Sequence, residues 1–472
     1  MPLARRFSTI ALPCILIFLY IAVRCFTVDI THDEAYSFKV MKHFWYAEAL
    51  CTGNTHWLNS IAIKAAILSG FEKNWQIRWF SMLSAAIFIF ISYRWIISFK
   101  RTGMRIFAFA LLLLNPYVTD YLGLARGYSS GIMFEMAAIL LLFKRRADNH
   151  GYKASIGLLC AALSAISNYS FAFFFAGYGM VYFLNDYFRK GARFLKSRYF
   201  YLDMFLCAGV SLFIIRALIF NFRCSGDIVG AGTANLTDVS SMFIADLFYG
   251  NLNLRGWLPV ALAVLLICFI TIVCVFGLSG KTEIQNPAYH YASAILSLTL
   301  FLIAAAHFVF HIVLPYARSA LFLFPLICLN IVYFADSVKT KSVILAAVSA
   351  LLIANFCLSM SFTSALDFEA QEGTKEVFAQ IDKMQIKNVV MGKWTYGVYI
   401  NYYRQTDHPY YRFHGSYADS ITCSRDTLYA LLSEPYRFKL PSCYKADTLL
   451  KPKAGNMILV KLLKVADNQR VN

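Results

Sequence analysis

The sequence predicts a polytopic α-helical membrane protein of about eleven transmembrane helices. It also predicts interfacial helices in the first outer loop and a small carboxyl-terminal α/β extracytoplasmic domain. Three observations lead there. Hydrophobic residues make up 59% of the 472-residue chain and charged residues 15%, against roughly 25% charged in a soluble domain. Apolar runs of spanning length recur along residues 1–360. Beyond them the chain turns polar, and helix-like and strand-like stretches alternate. The expected division is a transmembrane catalytic domain, 1–360, and an extracytoplasmic α/β domain, 361–472.

The first run, Ile10 to Val28, follows Arg5 and Arg6. It reaches the roughly 20 residues that a span requires and has no small-residue cleavage site, so it reads as a retained first helix. The loop 29–77 is too polar to span, yet carries Trp45, Trp57 and Trp75 beside apolar stretches at 44–50 and 57–68. One or two helices in the interface plane are expected there. Further spans are expected near 78–99, 105–122, 129–143, 154–168, 170–186, 204–221, 257–278, 291–311, 318–335 and 342–360. In the last domain, 373–385 and 394–404 read as helical, and Asn388–Met391 and Met457–Lys461 as strands.

Lys and Arg cluster at 100–105, 144–153, 189–198 and 339–341. By the positive-inside rule these loops and the amino terminus are cytoplasmic. The net charge of +18 therefore serves topology rather than nucleic-acid binding. An odd number of spans puts the loop 29–77, the short loop 123–128, the loop 222–256, the turn 312–317 and the carboxyl-terminal domain together on the outer face.

The adjacent carboxylates Asp33 and Glu34 emerge on that face directly after the first span, flanked by His32 and Tyr36. Two neighbouring acids repel, so a site holding both needs cations or donors nearby. A carboxylate in a partly dry crevice can act as general base on a hydroxyl. No P-loop or dinucleotide-binding glycine pattern is present, so a nucleotide donor is not indicated. An activated group carried on a membrane lipid phosphate suits the outer face, and its anionic leaving group requires cations. Arg126, in Leu124-Ala-Arg-Gly-Tyr128, and Arg318, in Pro315-Tyr-Ala-Arg-Ser319, are the candidates, because the planar guanidinium donates two hydrogen bonds to phosphate. Arg216 is a third candidate, with snorkelling to the interface as the bland alternative. Tyr128 and His311 are placed with the substrate.

His307 and His311 stand four apart on an expected helix face, a spacing compatible with a divalent metal, although hydrogen bonding to neighbours is the commoner use. No metal or other cofactor is otherwise called for. Glu135 is an intramembrane acid, with a structural hydrogen bond as its alternative role. Asn235-Leu-Thr237 matches a glycosylation acceptor pattern. Most of the 12 cysteines lie in apolar runs and act as small hydrophobes. Cys423 and Cys443 form a candidate disulfide if their segment is extracytoplasmic.

A first helix followed by Asp33-Glu-Ala-Tyr-Ser37 resembles the large membrane glycosyltransferases of the GT-C class. More narrowly it is similar to the bacterial relatives of the protein O-mannosyltransferases and of aminoarabinose lipid A transferase, a family-39-like group. Arg78-Trp-Phe-Ser81, Asn115-Pro116, Ala125-Arg-Gly-Tyr128 and Arg318 with Pro325 support the likeness, which covers residues 1–360. The resemblance implies a polyprenyl-phosphate sugar donor, inversion at the anomeric carbon and a bacterial cytoplasmic membrane. It implies Asp33 as the base that deprotonates the acceptor, and Glu34 as the neighbour that helps hold the acceptor and the interfacial helices. Residues 361–472 carry no β-trefoil-like repeats, which points to a glycan or lipid acceptor before a protein. The alternative function is a transporter or flippase of lipid-linked saccharides. Such proteins keep ionisable sites near the bilayer midplane and often have repeated halves, and neither is evident. A membrane-anchored sensor ranks last, because it needs far fewer helices.

Overall fold

A computed structural model describes residues 3–43, 56–148, 151–225, 245–246, 248–249, 258–279, 286–312, 314–386, 388–391, 402–403, 406, 412–414, 427–433, 443–452 and 457–464. The chain divides into two compact units. Met1–Ala22, Tyr46–Ala62 and Trp79–Met360 form the first, and Val23–Trp45, Ile63–Arg78 and Ser361–Asn472 the second.

Among the described residues six helices are long and apolar enough to cross a membrane: Ile10–Thr27, Trp79–Ile96, Arg198–Phe220, Leu258–Leu278, Pro287–Phe310 and Ser342–Ser359. A seventh span arises if Thr102–Leu113 and Pro116–Gly123, bent by 57°, are taken together. Shorter apolar helices are Trp57–Leu68, Tyr128–Phe143, Ser155–Ser167 and Leu323–Ser337. The run expected at 170–186 falls on the 3-10 turn Tyr169–Phe171 and the helix Ala172–Lys190. The protein is a multi-span helical membrane protein. Its span Leu258–Leu278 exposes Val264, Leu265, Ile267, Ile272 and Val275, as a lipid-facing helix must.

The sequence reads 105–122 as one helix, and the structure breaks it at Asn115-Pro116. Proline has no N–H to continue the helical ladder. Instead Asn115 Oδ1 accepts the Val118 N–H at 3.0 Å, and Pro116 opens a new helix at its first position. Elsewhere the first unit is tied by hydrogen bonds between helices. Ser293 Oγ donates to Asn330 Oδ1 at 2.7 Å, Trp95 Nε1 to the Tyr333 hydroxyl at 2.8 Å, and the Tyr289 hydroxyl to the Val273 carbonyl at 2.6 Å. With no hydrophobic drive between helices in lipid, such bonds and close packing hold a bundle together.

The second unit joins the end of helix α1 (Leu3–Thr27) and helix α2 (His32–His43) to the residues beyond the last span. Its sheet comprises β1 (Asn388–Met391), β2 (Arg412–His414), β3 (Thr427–Ser433), β4 (Tyr444–Leu450) and β5 (Met457–Lys464), in the order β2-β1-β3-β5-β4. β1 runs parallel to β2 and β3, and β5 antiparallel to β3 and β4. Alternate residues Leu428, Ala430 and Leu432 of β3 meet Ile458, Val460 and Leu462 of β5 in one core, as the period of two requires. The helix Thr374–Lys383 buries Val377, Phe378 and Ile381. Cys443 is disulfide-bonded. Cys423, the glycosylation pattern at Asn235 and most of the helix expected at 394–404 lie outside the described residues.

Candidate active site

The four residues between α1 and α2, 28–31, are held at almost every peptide. Thr31-His-Asp-Glu34 is a capping box: Thr31 Oγ1 accepts the Glu34 N–H at 3.2 Å, and Glu34 Oε2 accepts the Thr31 N–H at 3.0 Å. The Thr31 hydroxyl donates to the same Oε2 at 3.0 Å. This reciprocal pair sets where α2 begins.

Arg78 completes the arrangement from the far end of the loop. Its Nε donates to Glu34 Oε1 at 2.8 Å and its Nη2 to Glu34 Oε2 at 2.6 Å. The remaining N–H groups go to the carbonyls of Cys25 at 3.2 Å, Val28 at 2.8 Å and Asp29 at 2.9 Å. A guanidinium has five N–H donors, and all are committed. Burial disfavours the charge on Arg78, and Glu34 more than reverses that, so the guanidinium is held above its ordinary pKa. Both side chains are fully buried, at 0% exposure. Glu34 is thus the anchor of the link. Its carboxylate bonds to Arg78 and Thr31 hold the link between α1 and α2.

Asp33 precedes Glu34 on the same turn. Its side chain is 10% exposed, with Oδ1 3.7 Å from His32 Nδ1, and its carbonyl accepts the Ser37 hydroxyl at 2.9 Å. Tyr36, half-buried, follows on the same helix.

Residues beyond the last span also reach the link. Gln371 Oε1 accepts the His32 N–H at 2.7 Å, and the Tyr403 hydroxyl accepts the Ile30 N–H at 3.1 Å while donating to Asp29 Oδ1 at 3.0 Å. Lys375 Nζ lies 3.6 Å from Asp29 and donates to the Phe26 and Thr27 carbonyls at 3.3 and 3.4 Å, capping α1 with positive charge. Burial lifts the Asp29 carboxyl above its ordinary 3.8, with Lys375 and Tyr403 pulling it back. A raised carboxyl stabilises the fold below its unfolded-state pKa and loses that contribution as pH rises through the folded-state value. Asp29→Asn is therefore expected to flatten the fall in thermal stability above pH 3.8, followed by unfolding in detergent across pH. A slope equal to that of the unsubstituted protein would refute this.

The first unit holds Arg126, in the turn after the helix Pro116–Gly123, and Tyr128, which opens the helix Tyr128–Asp148; both are buried. Asn59 Nδ2 donates to the Ala125 carbonyl at 2.6 Å and Ser129 Oγ to the Ser81 carbonyl at 2.8 Å, which fixes the turn. Tyr128 lies 4.8 Å from Tyr121 and 5.4 Å from His56, ring centre to ring centre. Gly127 has φ +73°, and a Cβ there would stand 2.7 Å from His56 Cβ and closer still to the Ser167 carbonyl. Gly127→Ala is expected to cost about 2 kcal/mol or more from left-handed strain and overpacking. Thermal unfolding tests it, and an unshifted Tm would contradict the tight turn.

Neither a protein-family model nor a curated protein matches the sequence. Solved structures do. The crystal structure of ArnT from Cupriavidus metallidurans bound to undecaprenyl phosphate superposes with a TM-score of 0.50 at 11% identity, covering 96% of this chain and 97% of that one. The chain has the ArnT fold. The apo crystal structure of ArnT gives a TM-score of 0.46 at 11% identity, with 96% of each chain covered.

Within this ArnT fold the remaining candidates are placed as follows. Arg216 is exposed on the helix Arg198–Ser225 beside exposed Leu212, Ile215 and Ile219, a position suited to snorkelling rather than to a closed site. Arg318 lies half-buried in the 3-10 turn Ala317–Ala320. His311 does not extend the face of His307: the helix ends at Phe310, and His311 adopts φ 54°. His307 Nδ1 instead lies 2.9 Å from the Ile312 carbonyl. Among the described residues no group of three or more His, Cys, Asp or Glu is arranged to hold a metal. Glu135 is fully buried, and neither carboxylate oxygen has a hydrogen-bond partner among the described residues. Sequence reasoning missed the charge role of Arg78, and also Gln371 and Tyr403. Only the capping-box spacing Thr31–Glu34 could have signalled that Glu34 is structural.

Proposed function

We propose that the chain is a membrane glycosyltransferase that moves a sugar from a polyprenyl-phosphate carrier to a hydroxyl of a glycan or lipid at the outer face of a bacterial cytoplasmic membrane. The observation that carries this reading is the rigid turn that presents two adjacent acids: Arg78 and the capping box fix Glu34, and Asp33 precedes it on that turn, with Oδ1 3.7 Å from His32 Nδ1. The ArnT fold, seen in one crystal structure with undecaprenyl phosphate, supports the donor class. The disulfide at Cys443 supports an oxidising, extracytoplasmic setting for the second unit.

In this reading Asp33 takes the proton of the acceptor hydroxyl as its oxygen attacks the anomeric carbon. The bond from that carbon to the phosphate oxygen breaks, and polyprenyl phosphate departs as the anion. Arg126 and Arg318 are the guanidinium groups assigned to that phosphate, and Tyr128 is assigned to orient donor or sugar. His32 and Tyr36 are assigned to the acceptor side. Inversion at the anomeric carbon follows from single displacement.

Proteoliposomes loaded with undecaprenyl-phosphate-linked sugars test the proposal directly. Release of undecaprenyl phosphate together with a glycosylated acceptor is expected. Movement of the intact lipid-linked sugar across the bilayer without release would identify a transporter instead. Arg126→Gln is expected to raise the donor KM roughly 10-fold or more, since a hydrogen bond to a charged group contributes about 1.5–3 kcal/mol. A donor KM equal to that of the unsubstituted enzyme would remove Arg126 from the phosphate site.

A further inference from the structure

We propose that Gln371 and Tyr403, which follow every span in the sequence, are positioning residues for Asp33. The proposal rests on Asp33 being the base. The two side chains grip the backbone of the link at alternate residues. Tyr403 takes the Ile30 N–H at 3.1 Å, and Gln371 takes the His32 N–H at 2.7 Å, one peptide before Asp33. Arg78 takes the Val28 and Asp29 carbonyls on the opposite sense of the chain, and the capping box closes Thr31 and Glu34. Without Gln371 and Tyr403 the Ile30 and His32 amides lose the partners that immobilise them.

The Tyr403 hydroxyl is a junction of three hydrogen bonds. Besides Ile30 and Asp29 it accepts from Asn74 Nδ2 at 3.3 Å, so it also joins the link to the end of the outer loop. The ring is 1% exposed and packs on Phe378 at 5.3 Å and Tyr402 at 5.5 Å. Its place is therefore also fixed by ring packing on residues that follow the last span. Gln371 is tied to such residues too, for its carbonyl accepts the Thr374 hydroxyl at 2.6 Å at the start of the helix Thr374–Lys383.

A general base must sit within hydrogen-bond reach of the proton it removes, and a displacement of about 1 Å can cost on the order of 10²-fold in rate. Gln371→Leu removes the acceptor for the His32 N–H, whereas Gln371→Glu retains an oxygen there. Tyr403→Phe keeps the ring and removes the junction. Full-length variants in nanodiscs are compared for kcat, for KM toward undecaprenyl-phosphate-linked sugar, and for amide hydrogen exchange in the peptide 28–36.

Gln371→Leu and Tyr403→Phe are expected to lower kcat about 10- to 100-fold with donor KM unchanged. Exchange at Ile30 and His32 should rise, and Gln371→Glu should recover most of the rate. Unsubstituted kcat in both variants would overturn the proposal, as would lowered thermal stability with unchanged kcat and exchange. The exchange readout needs no turnover. An inactive Asp33→Asn beside active Gln371 and Tyr403 variants would overturn the positioning role alone. An active Asp33→Asn would overturn the base assignment beneath it.

Discussion

Asp33→Asn is expected to lower the rate of sugar transfer about 10²–10⁴-fold, the usual contribution of a general base. The substitution is nearly isosteric and removes only the capacity to take a proton. The capping box and the bonds from Arg78 are made to Thr31 and Glu34, so the link should persist. The informative measurement is therefore kcat in proteoliposomes together with unfolding temperature and donor KM. Loss of kcat with both others retained supports the base. Transfer near the unsubstituted rate would end the assignment; Glu34 is tied to Arg78, and Asp29 to Tyr403 and Lys375.

Arg78→Met is expected to be the most destabilising single substitution on the link. It leaves the Glu34 carboxylate buried without its cation and strips three backbone carbonyls of their donors. Breaking a buried pair from one side typically costs about 3–5 kcal/mol, a large share of the roughly 5–15 kcal/mol that separates folded from unfolded proteins. Glu34→Gln should also destabilise, by placing an amide NH2 against the guanidinium. The double variant should recover part of the loss, since the uncompensated charge disappears, and a double-mutant cycle measures that coupling. Additive effects without coupling would mean that the two side chains act independently, contrary to their two direct bonds.

The acids and their setting were legible in the sequence because adjacency and the end of an apolar run are local features. Their division of labour was not. Asp33 and Glu34 are chemically alike, and what separates them is Arg78, 44 positions from Glu34. The strands at 388–391 and 457–461 could be read because Val, Ile and Leu recur with few breakers. β3 and β4 were missed: Thr427–Ser433 and Tyr444–Leu450 mix Ala, Ser, Thr and Lys with the apolar residues, and pairing to β5 decides them. The His307–His311 spacing presumed a helix that in fact stops at Phe310. Gln371 and Tyr403 were invisible for another reason: each acts on a backbone amide, which leaves no complementary residue type to find.

The order in which the ribosome delivers these parts has a consequence. Tyr403 meets Ile30 across a separation of 373 residues, and Gln371 meets His32 across 339. Contacts so distant in sequence are slow to form, and during synthesis their second halves emerge only after the spans have been made. On the proposed function, the chain should thus pass through an inserted but inert stage, complete in its helices and lacking the grip of Gln371 and Tyr403 on the link. A chain stopped at Met360 would remain there, integrated in the membrane and unable to turn over.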